Sequence, residues 1–134
     1  QVAGVGFTEQ ELKKNNIQYL KSTYQYINTA MGHAIQDTDG FVKFLVNKEN
    51  RKILGCHIIG TDASILIHEV LVSMRTGDGT INSITNTIHI HPALSEVVLR
   101  AAHVIWPEDS FINIYINTKF DIHEKYKQIT KLKS

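Results

Sequence analysis

The chain has a single cysteine, Cys56, among its 134 residues. One cysteine excludes an intramolecular disulfide framework, and it also excludes a redox-active dithiol within this chain. Because Cys56 lies in an apolar segment, we interpret it as a buried structural thiol and not as a reactive one. A lone reduced thiol fits a reducing compartment, so the expected location is cytoplasmic.

Excess charge and long apolar runs are also missing. The 14 basic and 13 acidic residues give a formal net charge of +1, without the basic surplus that is typical of nucleic-acid-binding domains. The longest apolar run, residues 64–74, is interrupted by His68 and Glu69 and is shorter than the roughly 20 residues of a membrane-spanning helix. We therefore expect no nucleic-acid partner and no membrane span.

Two further motifs are absent. Gly4 and Gly6 have the spacing that opens a dinucleotide-binding GxGxxG, but Glu9 stands at the position of the third glycine. The residues from Gln1 onward contain neither the basic region nor the long apolar region of a signal peptide. The sequence predicts that the chain begins inside a longer protein and does not bind a dinucleotide by itself.

Short segments rich in apolar, aromatic and β-branched residues predict an antiparallel sheet. Strands are predicted for residues 2–6, 18–27, 40–46 and 52–60. The last two flank a polar loop and have the pattern of a hairpin, whereas residues 29–37 are predicted as a further strand or as a bend at Gly32.

Helices are predicted at three places. Thr8 and Glu11 have the spacing of a capping box, which indicates a short helix after the first strand. Asp62 and Gly77 bound a helix that is apolar on nearly every side. Such a helix must be covered by the sheet and another helix, or by a partner subunit.

A third helix is expected after residue 91. Its apolar residues follow the i, i+3, i+4, i+7 spacing of one buried face, and Pro107 ends it. Together these elements predict one α+β domain over residues 1–106, an antiparallel sheet with helices packed on it. Residues 107–134 form a C-terminal tail of uncertain structure, in which residues 111–117 alternate like an edge strand.

The segment HIHPALSE, residues 89–96, has the residue types of an acid/base site. Pro92 suits the first position of a helix, and side chains on a helix lean toward its N-terminus, so Glu96 can reach back to His91. A carboxylate on one ring nitrogen leaves the other free to exchange a proton near neutral pH. On spacing alone, a His-Pro pair at a helix start is more often a capping detail than a catalytic base.

His89 introduces a second alternative. In an extended segment its side chain points the same way as that of His91, so a site with two histidine ligands is conceivable. No third ligand is evident nearby, and a closed structural zinc site needs four. We therefore expect no metal.

Four segments together resemble a known family. They are VGFTEQEL (5–12), DGFVKFLVNKENRKILGCHIIG (39–60), ASILIHEVLVSM (63–74) and TIHIHPALSEVVLRAA (87–102). In order and spacing they resemble the C-terminal dimerisation domain of the pyridine nucleotide-disulfide oxidoreductases, over residues 1 to about 104. The HxHPxxSE pattern is most similar to the branch that contains the dihydrolipoamide dehydrogenases.

The resemblance implies a fold, a site and a set of partners. It implies the dimerisation-domain fold of FAD/NAD-linked reductases, with His91 as the acid/base that deprotonates a dithiol and Glu96 as the residue that orients it. Both would reach into the active site of the partner subunit. The His91–Pro92 bond would be cis, and its backbone would approach the partner's flavin, which makes His91 and Pro92 cofactor-binding residues.

The same resemblance implies that the full-length enzyme is a homodimeric flavoprotein with FAD- and NAD-binding domains. It would use FAD and NAD(P) to oxidise or reduce a dithiol/disulfide such as lipoamide, and this fragment alone would be inactive. Two alternatives remain: an enzyme like glutathione reductase, or a purely structural dimerisation module. The chain departs from the family pattern at Ile65, where a glutamate is frequent, at Asn50, where glycine is usual, and in the tail from residue 107.

Overall fold

The structure is a computed structural model that describes residues 1–105. It is built on a four-stranded antiparallel sheet in the order β1-β4-β3-β2. The strands are β1 (Val2–Gly6), β2 (Tyr19–Gln25), β3 (Phe41–Asn47) and β4 (Ile53–Ile59). The predicted antiparallel α+β class is confirmed, and the predicted hairpin of β3 and β4 forms the centre of the sheet.

The register of the hairpin shows why β3 and β4 are rich in apolar residues. Val42 lies opposite Ile58, and Phe44 lies opposite Cys56. All four side chains are completely buried. Because successive residues of a strand point to opposite faces, these four belong to one face of the sheet and form the floor of the core.

Within residues 1–105, five α-helices and one 3₁₀-helix accompany the sheet. They are α1 (Glu9–Lys14), the 3₁₀-helix Tyr26–Asn28, α2 (Ala30–Ala34), α3 (Ala63–Arg75), α4 (Asn82–Thr85) and α5 (Glu96–His103). The predicted capping box is present at the start of α1, where Glu11 N–H donates to the Thr8 hydroxyl and Thr8 N–H donates to the Glu11 carboxylate at 2.7 Å.

Two helices cover the core face of the sheet. Helix α3 packs against β1 and β4, and helix α5 packs against β2 and β3. The Ser22 hydroxyl on β2 donates to the carbonyl of Ala101 on α5 at 2.7 Å, and this bond is buried. Since the last carbonyls of a helix lack partners within the helix, this bond satisfies one of them and fixes α5 on the sheet.

The sequence-based expectation for residues 29–37 was wrong. This segment holds helix α2, and the Thr29 hydroxyl accepts from Gly32 N–H at 3.1 Å to cap it. Gly32 is buried so tightly that a Cβ there would lie 2.0 Å from the carbonyl oxygen of Tyr26. The tight packing of one turn against the preceding 3₁₀-helix therefore decides the local structure.

Helix α4 lies between α3 and the HIHPALSE segment, where no helix was predicted from the sequence. Ile81 and Ile84 are fully buried there, so two apolar residues three positions apart anchor a single helical turn. No helix within residues 1–105 is long and apolar enough to cross a membrane. Pro107, the predicted strand at 111–117 and the division at residue 106 lie outside the described residues and stay predictions.

Candidate active site

His91 and Glu96 are brought together as the sequence predicted. Nδ1 of the His91 ring lies 2.9 Å from Oε2 and 3.0 Å from Oε1 of Glu96. The histidine side chain is 69% exposed, whereas the glutamate side chain is only 10% exposed. The ring is therefore held from below by a buried carboxylate while it stays open to solvent above.

The Glu96 carboxylate is an ionised acceptor. The hydrogen bond to His91 lowers the pKa of Glu96, and a further bond from Ala93 N–H, at 3.2 Å, acts in the same direction. Its position in the first turn of α5 also suits a negative charge. Because an ionised carboxylate can only accept, Nδ1 of His91 donates, and in the neutral ring Nε2 is left without a proton.

The helix begins later than the sequence predicted. Pro92 is not at its first position, because α5 starts at Glu96. Residues 91–92 form a bend and residues 94–95 a turn. The reason is local: the Glu96 side chain bonds back to both the His91 ring and Ala93 N–H. The His91–Pro92 peptide bond is cis, as the family resemblance implied.

His89 is not free to share a ligand with His91. Its Nε2 lies 2.6 Å from Oε1 of Glu69 on α3, and its side chain is only 5% exposed. Among residues 1–105, no group of three or more His, Cys, Asp or Glu side chains could hold a metal ion. The sequence analysis missed Glu69, because 20 residues separate it from His89 and no motif links them.

The remaining histidines of the described region and Cys56 form no second site. His57, His68 and His103 each have a ring nitrogen near a single backbone carbonyl, those of Phe7, Ile65 and Thr85 respectively. Cys56 is buried in β4, and burial raises the pKa of its thiol. This agrees with the interpretation of Cys56 as a structural residue, since the reactive form is the thiolate.

An exposed apolar patch lies on α3 and on the segment that leads to His91. The sheet side of α3 is buried through Leu66, Ile67 and Val70. On α3 and in this segment, four large apolar side chains stay exposed, namely Ile65, Val72, Ile88 and Ile90. We call these four the apolar patch; it shows that the rest of the described chain does not cover α3 completely.

Comparisons with known proteins give matches to a family model and to curated relatives. The family model described as pyridine nucleotide-disulphide oxidoreductase, dimerisation domain, matches residues 1–102. The chain is 42% identical over 102 residues to the mitochondrial dihydrolipoyl dehydrogenase of Dictyostelium discoideum, covering 76% of this chain and 21% of that protein. It is 38% identical over 102 residues to dihydrolipoyl dehydrogenase of Geobacillus stearothermophilus, covering 76% and 22%.

The fold also matches solved structures. LpdA from Mycobacterium tuberculosis superposes with a TM-score of 0.72 at 21% identity, covering 79% of this chain and 23% of that chain. At this level of identity the match shows a shared fold alone. The chain spans about a fifth of the length of the curated relatives it matches.

Proposed function

Because this chain belongs to the dimerisation-domain family of the pyridine nucleotide-disulphide oxidoreductases, we propose that it is the interface domain of a dihydrolipoamide dehydrogenase-like enzyme. The relatives are about five times longer than the matched region. The activity is therefore assigned to a longer protein that contains this chain, called the parent protein below. The fragment alone is expected to be inactive.

The observation that carries the proposal is the asymmetry of the His91–Glu96 pair. Glu96 is buried and ionised, and it takes the Nδ1–H of an exposed ring. Nε2 of the neutral ring can then accept the proton of a dithiol S–H, which leaves a thiolate, the nucleophilic form of sulfur. The carboxylate stabilises the imidazolium that results.

The cofactors are assigned to the parent protein. FAD and NAD(P) would carry the electron pair that is released when a dithiol such as dihydrolipoamide becomes a disulfide. His91 and Pro92 are both exposed, and no bond between main-chain groups involves residues 88–92 within the described chain. Their backbone is thus open to a group on another subunit, which fits the proposed approach to the partner's flavin.

A second copy of the parent protein is the proposed partner. The apolar patch leaves four large side chains in water, and Ile88 and Ile90 flank His89 just before His91. Covering such a patch with the same patch of a two-fold mate is the usual solution for a homodimer. It would place each His91 beside the partner, so that the domain completes the partner's dithiol/disulfide site.

The deciding experiment is His91→Gln in the parent protein, measured as dihydrolipoamide oxidation linked to NAD(P) reduction. Loss of a general acid/base lowers such a rate by roughly 10²- to 10⁴-fold. His33→Gln is the matched control, since His33 is exposed on α2 and its ring makes no hydrogen bond within residues 1–105.

An unchanged rate in the His91→Gln protein would refute the catalytic role and favour a purely structural dimerisation module. If the rate with glutathione disulfide and reduced cofactor exceeded the lipoamide rate, the substrate would instead be that of a glutathione reductase-like enzyme.

A cytoplasmic location is proposed from the lone reduced thiol. Since several relatives are named as mitochondrial, cell fractionation of the parent protein is the test.

A further inference from the structure

A second histidine–glutamate pair lies two residues before the first. Nε2 of His89 is 2.6 Å from Oε1 of Glu69, and the His89 side chain is 5% exposed. Glu69 lies in the middle of α3, whereas Glu96 begins α5. The short segment with the two histidines is therefore tied to two different helices.

The His89 ring has an acceptor oxygen near each of its two nitrogens. Its other nitrogen, Nδ1, lies 3.1 Å from the carbonyl oxygen of Thr87. Both ring nitrogens thus face oxygens that accept hydrogen bonds. The contact to Glu69 is the shorter of the two.

Side chains, not the backbone, fix this segment. Residues 88–92 make no bond between main-chain groups within the described part of the chain. Ile88 and Ile90 are 91% and 73% exposed, so they do not anchor it either. The His89 ring is the buried point between them, and it sets where the chain passes over α3.

From this we propose that His89 and Glu69 form a positioning pair for His91. The pair fixes the backbone two residues before His91, so that the His91 ring meets the Glu96 carboxylate and presents Nε2 outward. This rests on the proposed function. Neither residue of the pair is placed at the reacting atoms, and the expected effect of losing it is a misplaced His91 ring.

The test is Glu69→Ala in the parent protein, with kcat and KM for dihydrolipoamide measured separately. A reacting group displaced by about 1 Å can cost on the order of 100-fold, so kcat should fall by about 10- to 100-fold while KM changes little. Glu69→Gln keeps an acceptor oxygen at the same reach and should retain more of the rate than Glu69→Ala. Glu49→Gln, in the exposed turn between β3 and β4, is the control for the loss of a carboxylate.

A double variant separates positioning from a merely structural role. If Glu69 acts through His91, then Glu69→Ala should cause no further loss in a His91→Gln protein, because coupled residues are not additive. An equal loss in both backgrounds, or an unchanged kcat in the single variant, would overturn the proposal. If His91→Gln itself had no effect on the rate, the proposed function would have failed instead.

A second measurement, made on the 134-residue chain, tests the positioning of the His91 ring without an activity assay. Nitrogen-15 NMR of the His91 ring should show a single Nδ1–H tautomer when the ring is neutral, and Glu69→Ala should convert it to a mixture, whereas Glu69→Gln should keep more of the single form. A ring that keeps one tautomer in both Glu69→Gln and Glu69→Ala would show that the pair does not position His91.

Discussion

Glu96 lies beneath His91 and not beside it: the carboxylate is 10% exposed, the ring it holds is 69% exposed, and Nδ1 to Oε2 is 2.9 Å. With the carboxylate buried and the ring exposed, the two nitrogens of the ring have different functions. The buried side fixes which nitrogen carries the proton, and the open side is free to exchange one.

The first prediction concerns the tautomer of His91. In Glu96→Gln, the amide can donate to Nδ1 or accept from it, so the neutral ring is no longer confined to the Nδ1–H form. In the parent protein this should lower the dithiol-linked rate toward that of His91→Gln. The tautomer is measured from the nitrogen-15 chemical shifts of the His91 ring, in wild type and in Glu96→Gln, above neutral pH. The same single tautomer in both proteins would contradict the prediction.

The second prediction concerns stability at low pH. The folded structure lowers the pKa of Glu96 below its ordinary value of 4.5, chiefly through the hydrogen bond from His91. A lowered folded-state pKa contributes stability that is complete above the unfolded value and is lost as the pH falls through the folded one. The stability difference between wild type and Glu96→Gln should therefore shrink below about pH 4.5.

Urea unfolding at a series of pH values measures that difference. Glu49→Gln serves as the comparison, because its carboxylate lies on the exposed turn between β3 and β4. A gap between wild type and Glu96→Gln that stays constant from neutral pH down to acid would mean that the carboxylate charge contributes nothing to folding.

The third prediction concerns the attachment of α5 to the sheet. Ser22→Ala removes the buried donor to the Ala101 carbonyl and leaves that oxygen without its 2.7 Å bond. Leaving a buried acceptor unsatisfied costs about 1–3 kcal/mol. Thr23→Ala, at the next and exposed position of β2, should stay within about 0.5 kcal/mol of wild type. Equal losses in the two variants would show that the buried bond carries no net stability.

The fourth prediction concerns the apolar patch. Light scattering coupled to size-exclusion chromatography should find the 15.2 kDa chain as a dimer that dissociates on dilution. Val72→Lys should shift the chain to monomer, because a charge in an apolar interface must be desolvated without a partner. Val2→Lys, on the exposed end of β1, is the matched control. A chain that is monomeric at every concentration would argue against the patch as the interface.

The parts of the fold that follow from neighbouring residues could be predicted from the sequence. The capping box, the β3–β4 hairpin and the buried face of α5 each depend on residues within a few positions of one another. The His91–Glu96 contact belongs to the same class, since one turn of chain joins the two residues. The type of element was predicted less accurately for residues 29–37. Their composition favours a strand or a bend, but they hold helix α2, because the conformation there depends on packing against Tyr26.

What the sequence determined by itself is therefore a set of local elements and one histidine–glutamate pair. Tertiary structure alone decided that β1 lies beside β4, that Glu69 meets His89 across 20 residues, and that four apolar side chains are left on one exposed patch. The physical reason is distance along the chain. A hydrogen bond within one turn is specified by spacing, whereas a contact between segments far apart in the chain exists only after the fold has placed both of them.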